Sequence, residues 1–579
     1  MSPRRLQTQV LVVGGGPVGL STALHLDAQG VDCVLVEKHP GTATHPKASY
    51  FNVRTMEVLR LLGIAADVYA TALFPQGVSF YTSIRGYKLG VLSGADAPDH
   101  IARLMRSTAS PGCVSSQIVL EAILKEHAER APHATILFGH EKIALEQNDD
   151  GVRTTVVERA TGEEIVVESA YVIACEGVRS PTREALGRAL VGPPPFGHVI
   201  NIYIEADLES LVEERNQALF WTATPKAPGA FIALGGDHRK YCFNTPWFPE
   251  DGERLEDYTE ARCLERVRAA IGTDELPVKI LAIGSWVLCG QVIDHFRAGR
   301  VFFGGDTAHL NIPTGGFGFN TGMQETHNLA WKLAAVLRGD APDVLLDTYH
   351  SERRPIAEFN VEQSRENAVK IRDTGATFGG RVPDCEEVDL DTPLGREQRA
   401  RKTAAIAQQK THFLFLGQEI GYGYWDSPII VPDGTRHYAE EHAVENPVYE
   451  YVPNARPGAR APHCWVACAD APDVRVPLHD LLGRDFVLLT HGPAGAAWAR
   501  VLSDGHRVRH HHVGADGDLL DVDDTWSGVY GIPDDGAVLV RPDGHVAWRA
   551  FDGPAGYTGV GLADALDIAM GRRLEGEHT

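Results

Sequence analysis

Apolar positions recur along the chain with two different periods. Gln9–Val13, QVLVV, is a short β-branched run suited to a strand buried on both faces. After a cluster of glycines, LSTALHLDAQG reads as a helix of small and apolar residues that stops at Gly30. CVLVEKH then carries a second strand with Glu37 at its end. The period turns helical again where Met56, Leu59 and Leu62 recur in a helix opened by Asn52–Glu57. It does so once more where Leu120, Ile123 and Leu124 share the buried face of a helix starting at Gln117. HVINIYIEADL alternates as a strand does, and GAFIALGG and KYCFNTPW read as further strands of a second sheet. RVFFGG predicts one more short strand, with a helix starting near Asn320 and another helical stretch after Gly339.

The first glycine turn, Gly14-Gly15-Gly16-Pro17-Val18-Gly19, fits G-x-G-x-x-G between a strand and a helix. Gly14 allows the tight turn, Gly16 lets backbone approach a pyrophosphate, and Gly19 lets the helix pack closely on the strand. The helix N-terminus presents unpaired N–H groups to phosphate, and Glu37, 18 residues after Gly19, is placed to bind ribose hydroxyls. The unit therefore predicts a dinucleotide site and leaves FAD and NAD both open. A second glycine-rich turn, GGDTAHLNIPTGGFGFNTGMQE, lies at Gly304–Glu325 and also leads into a helix.

Bulk properties narrow the function classes. The chain has 579 residues, 44% of them hydrophobic and 23% charged, as soluble proteins do. No apolar run is long enough for a transmembrane helix, and the apolar stretch at the N-terminus is too short for a signal peptide, so a cytoplasmic protein is expected. A formal net charge of −23 argues against nucleic acid and anionic membranes as partners. The nine cysteines contain no C-x-x-C pair, which favours reduced thiols. His506, His510, His511 and His512 form a cluster, but neighbouring strand positions face opposite ways, so no metal site is expected.

HPKASYFNVRTMEVLRLLG, YVIACEGVRSPTREALG and GRVFFGGDTAHLNIPTGGFGFNTGMQETHNLAWKLAAVLRG occur in this order. Together with the first turn they resemble the consecutive signatures of group A flavoprotein aromatic hydroxylases, the para-hydroxybenzoate hydroxylase-like class. Within it the chain is most similar to the 2,4-dichlorophenol 6-monooxygenase and phenol 2-monooxygenase branch. The resemblance implies an α/β fold: a discontinuous Rossmann-like FAD-binding domain (residues 1–185 and 286–400), an inserted β-sheet substrate domain (186–285), a cover segment (401–456) and a thioredoxin-like C-terminal domain (457–579). It implies that FAD is held by Gly14, Gly16, Pro17, Val18 and Gly19 at the pyrophosphate and by Glu37 and Lys38 at the adenosine end. Lys47 matches a basic residue beside the phosphates, Gln117 a glutamine near the ribityl chain, and Asp306 the aspartate on a ribityl hydroxyl. Pro313, Gly315, Gly316, Gly318, Phe319 and Asn320 match the loop along the isoalloxazine ring. Arg239, Tyr241 and Pro313 are the residues it places at the reacting end. Phe220 and Trp221 are candidates for core or pocket.

The chain departs from the family pattern at Glu176-Gly177, where Asp-Gly is usual, while Ser180 and Arg183 are kept. Ser49 stands about where some phenol hydroxylases carry an aspartate, which leaves no assigned base for a phenol. The implied activity consumes NAD(P)H and O2 and hydroxylates a phenol-like ring ortho to its oxygen through a flavin C4a-hydroperoxide. Epoxidation and Baeyer–Villiger insertion in the same fold are the alternatives, with a non-enzymatic FAD-binding protein behind them; the Trp-x-Trp-x-Ile-Pro motif of flavin halogenases is absent. The expected partners are a small aromatic substrate and further copies of the chain in a homo-oligomer.

Overall fold

A computed structural model describes residues 4–435, 444–492, 495–501 and 507–574. Three large sheets, with two small ones beside them, organise the described residues. In the first, Arg4–Val13 lies between Cys33–Glu37 and Glu164–Ala174, parallel to both, and Cys33–Glu37 continues to Ala134–Phe138, also in parallel. Val301–Phe303 extends the parallel order beside Glu164–Ala174. Val10, Leu11 and Val12 are fully buried, as the unbroken apolar run predicts. Helices Pro17–Ala28, Gln117–Arg130 and Phe317–Leu337 pack together against this sheet, and their apolar side chains join its core.

The second sheet has seven strands in the order Lys279–Leu288, Gly197–Glu205, Lys240–Trp247, Gly229–Ala233, Gln217–Thr222, Gly77–Tyr81, Lys88–Ser93. It reaches beyond the expected span of 186–285 at both ends. Its last two strands come from the stretch assigned to the flavin domain, and Lys279–Leu288 runs past residue 285. Gln217–Thr222 joins Gly77–Tyr81 in parallel, a pairing made across more than a hundred residues without a hairpin turn to announce it.

The C-terminal sheet has a thioredoxin-like centre. Phe486–His491 and Val508–Val513 are parallel, and Ala537–Val540 and Val546–Ala550 add antiparallel strands. Cys464 is buried, and all nine cysteines are unpaired. His510 and His512 both bond to Thr490 Oγ1, while His511 meets Asp518 on the other face. His506 lies outside the described residues.

The C-terminal layer shares a core with the first domain: Trp331, Ala335 and Leu345 pack with Phe486, Trp498 and Trp548. Two buried charge clusters cross the same boundary. Arg541 bonds to both oxygens of Glu352, at 2.6 and 2.8 Å. Arg460 donates to Glu57, which also receives Arg54, and Arg54 reaches the Asp543 carbonyl at 2.6 Å. Arg54 and Glu57 belong to the Asn-x-Arg-Thr-Met-Glu motif that opens the second predicted helix. Their task is to hold the two domains together, away from solvent.

Candidate active site

The strand–turn–helix unit forms a close backbone crossing. Gly14 has φ +113°, and a Cβ there would lie 2.2 Å from the Cys175 carbonyl oxygen. A Cβ on Gly19 would lie 1.9 Å from the Gly14 oxygen. Gly16 differs: its backbone is extended (φ −74°, ψ −178°), and a Cβ there meets no protein atom within 4 Å. The helix begins at Pro17, so its free N–H groups face this open space. Glu37 closes the turn, accepting from the Gly15 N–H at 2.7 Å and the His39 N–H at 2.8 Å.

The open space belongs to one cavity of about 1840 Å³. It runs from Gly15–Gly19, Glu37 and Lys38 past Lys47, Gln117 and Asp306 to Pro313–Phe319, and on to the second sheet. Gln117 is held by its neighbours: its Oε1 accepts from the Ala48 N–H at 3.1 Å and its Nε2 donates to Glu121 at 2.6 Å. Glu121 also accepts from the Ala43 N–H at 2.7 Å, so one helical turn ties down the loop that carries Lys47.

The second glycine turn is braced from behind. Glu325, one helical face inside Phe317–Leu337, accepts from the Gly305 N–H at 2.9 Å and pairs with His309 at 3.0 Å. Burial lowers the His309 pKa, but Glu325 outweighs it and the net shift is upward. This pair fixes the turn bearing Asp306. Gly316 caps the long helix with φ +69°, a conformation that disfavours any residue with a Cβ. Glu176 adapts to its extra methylene by accepting from Ser180 Oγ and the Thr182 N–H and pairing with Lys142 at 3.2 Å. Arg183 is buried and bonds to the Thr307 and Val178 carbonyls, linking the Glu176 loop to the Asp306 turn.

Three expected site residues stand elsewhere. Tyr241 is 1% exposed and packs with Phe220 on the helix-covered face of the second sheet, its hydroxyl donating to the His238 carbonyl. Strand parity explains this: Tyr241 and Phe243 point to that face, while Asn244 lines the cavity. Arg239 is exposed in the turn before the strand and does not line the cavity. The Asn320 side chain is spent on backbone, donating to Tyr50 O and Gly316 O and accepting from the Asn52 N–H. It positions the loop without facing the cavity. Pro313, by contrast, lines it.

Sequence reasoning missed the far wall. Its lining includes Trp221, Trp247 and Trp286 of the second sheet and Phe378, Phe413 and Phe415, with Trp221 packed directly on Phe378 at 4.6 Å and Trp247 packed on Tyr258 at the sheet's helix-covered side. Phe220 and Trp221 are both core residues, buried on opposite faces of the sheet, with Trp221 on the face toward the cavity. Glu419, on the short helix Leu416–Ile420, accepts from the Tyr50 hydroxyl at 2.6 Å, and both line the cavity. Burial pushes Glu419 up to about 7, against the bonds from Tyr50 and the Val53 amide and with some help from Glu57. A pair separated by 369 residues leaves no local signal.

Comparison with known proteins agrees with this geometry. The FAD binding domain family matches residues 7–364, and the aromatic-ring hydroxylase C-terminal family matches residues 454–572. The chain is 33% identical to tetracenomycin A2 monooxygenase-dioxygenase of Streptomyces glaucescens, over 98% of this chain and 97% of that one. It is 32% identical to 2,4-dichlorophenol 6-monooxygenase of Cupriavidus pinatubonensis, over 98% and 97%. The crystal structure of the flavin-dependent monooxygenase PieE in complex with FAD and substrate superposes with a TM-score of 0.87 at 34% identity, covering 99% of each chain. No helix among the described residues is long and apolar enough to cross a membrane. A nucleotide-sized cleft framed by two glycine turns, opening onto an aromatic wall, and matches that run the length of the chain lead to one assignment: the protein belongs to the FAD-dependent aromatic-ring hydroxylases.

Proposed function

We propose that this enzyme hydroxylates a multi-ring phenol, ortho to the phenolic oxygen, at the expense of NAD(P)H and O2. The observation that carries the proposal is the extent of the cavity. A single ligand site usually measures about 300–1,000 Å³. The 1840 Å³ here leaves room beside a dinucleotide for a substrate of several rings, and the walls at that end are aromatic. Of the substrates named in the two relatives, tetracenomycin A2 suits this space better than 2,4-dichlorophenol.

The residues divide the work by position. Gly16 and the N-terminus of helix Pro17–Ala28 would face the FAD pyrophosphate, Glu37 and Lys38 the adenosine ribose, and Asp306 the ribityl chain. Pro313–Phe319 would run along the isoalloxazine ring. Bound FAD supplies the electron transfer and oxygen activation that side chains lack. The first N–H groups of helix Phe317–Leu337 point their dipole at that loop and favour negative charge there. Trp286 would stack the substrate rings, and Phe413, Phe415 and Leu416 would keep water out.

Substrate-dependent NAD(P)H oxidation by the flavin-loaded enzyme tests this reading. Each added ring buries a further aromatic surface, so kcat/KM should be at least about 100-fold higher for three- and four-ring phenols than for phenol or 2,4-dichlorophenol. Faster turnover of the one-ring compounds would assign the cavity to a different substrate class.

A further inference from the structure

Among the described residues, buried Glu57 is matched by Arg54 and Arg460, Glu325 by His309, Glu352 by Lys332 and Arg541, and Asp543 by Arg541, while buried Glu121 is held by the Gln117 amide and the Ala43 N–H. Glu419 is 5% exposed and lines the cavity, yet among the described residues no basic side chain stands within ion-pair distance of it. Its partners are the Tyr50 hydroxyl and the Val53 amide. A buried carboxyl in that setting is costly to ionise and has no evident structural counter-charge.

Tyr50 connects this carboxyl to the reacting end of the cavity. Its carbonyl accepts from Asn320, its ring meets Phe415 edge-on at 5.9 Å, and its Cβ lies 3.4 Å from where a Cβ on Gly316 would stand. The ring therefore spans from the second glycine turn to Glu419. Ser49, beside it, also lines the cavity and offers no carboxylate.

We propose that Tyr50 and Glu419 form the proton-handling pair of this site. The inference rests on the phenol hydroxylation proposed above. The substrate O–H bond breaks as a new O–H bond forms on the Tyr50 oxygen. The original Tyr50 O–H breaks at the same time, and its proton joins Glu419 Oε1. The electron pair stays on the substrate oxygen, leaving an electron-rich phenolate, and nothing is oxidised or reduced. After hydroxylation the proton returns by the same path to the product oxygen.

The groups facing Glu419 allow this near neutral pH. Burial pushes the carboxyl up to about 7, so it can exchange protons near neutral pH. Glu57 faces it from helix Val53–Leu61 with its charge offset by Arg54 and Arg460. His100, on helix Pro98–Ser107, is pushed down to about 4 by burial, with Arg103 and Lys410 adding to the shift, and stays neutral. Tyr451 packs with Leu416 and Ile420 of the same short helix, and Lys410 lies over the Tyr449 ring.

The test uses flavin-loaded enzyme with a multi-ring phenol and three readouts: the phenolate absorbance of bound substrate against pH, the infrared band of a protonated carboxyl, and the pH–rate profile. In the wild type the phenolate should appear with a midpoint near 7, and a carboxyl band should titrate there. Glu419→Gln should lose that band, move the phenolate midpoint up by a pH unit or more, and lower turnover by about 100-fold. Tyr50→Phe keeps the ring packing, so it should load flavin normally and retain the carboxyl band while losing the phenolate shift. Wild-type midpoints and rates in Tyr50→Phe would remove the pair from the proton path, whatever the folding of Glu419→Gln. If the wild type itself neither ionises nor turns over any phenol, it is the phenol-hydroxylation reading that fails.

Discussion

Arg541→Met should destabilise the enzyme by about 3–5 kcal/mol, because it strips the cation from a sealed cluster of charges. Arg541 donates to both oxygens of Glu352 and to Asp543, and Glu352 also receives Lys332 at 2.6 Å, Asn328 at 2.7 Å and Ser427 at 2.6 Å. All of these lie between the first domain and the C-terminal layer, away from water. Methionine fills a comparable volume but leaves Lys332 as the remaining cation for two buried carboxylates, since burial keeps the nearby His545 neutral. Urea unfolding followed by the fluorescence of Trp331, Trp498 and Trp548, which share this interface core, should show the loss. Adding Glu352→Gln should cost less than the sum of the single changes, since each removes half of the same pair. Strict additivity, or a single-variant loss below about 1 kcal/mol, would show that the cluster does not hold the domains together.

Gly16→Val should separate cofactor binding from folding. At Gly14 and Gly19 an added Cβ collides with backbone, so changes there damage the crossing itself. At Gly16 the backbone is already extended and the new side chain meets no protein atom. It would stand instead where the helix N-terminus faces the cavity. The variant should keep the thermal stability of the FAD-free wild type and lose at least about 2 kcal/mol of FAD affinity, roughly 30-fold in Kd. Unchanged flavin content on purification would place the pyrophosphate elsewhere.

What could be read from sequence was local or in chain order. The first glycine turn joins a strand and helix that are neighbours in the chain, so its role follows from adjacency. The strand at Gly197–Glu205 announces itself by alternation, and those at Gly229–Ala233 and Lys240–Trp247 by their β-branched and aromatic residues. Alternation does not say which face meets the ligand, and Tyr241 was expected on the wrong one. Arg54 and Glu57 look like a solvated helix turn until the C-terminal layer arrives to bury them. The parallel partner of Gln217–Thr222, the bracing of Asp306 by Glu325, and the Tyr50–Glu419 contact all join distant segments. Nothing in the spacing of those residues encodes their meeting.

The central claim is that both glycine turns hold one flavin whose reactive end faces a phenol on the second sheet. Turnover of a multi-ring phenol with NAD(P)H under heavy-isotope oxygen gas, followed by mass spectrometry and product structure, tests it most directly. The expected product keeps the carbon skeleton and carries one labelled hydroxyl on the ring carbon beside the phenolic oxygen. A labelled oxygen inserted between two carbons, an epoxide, or a product without label would contradict it.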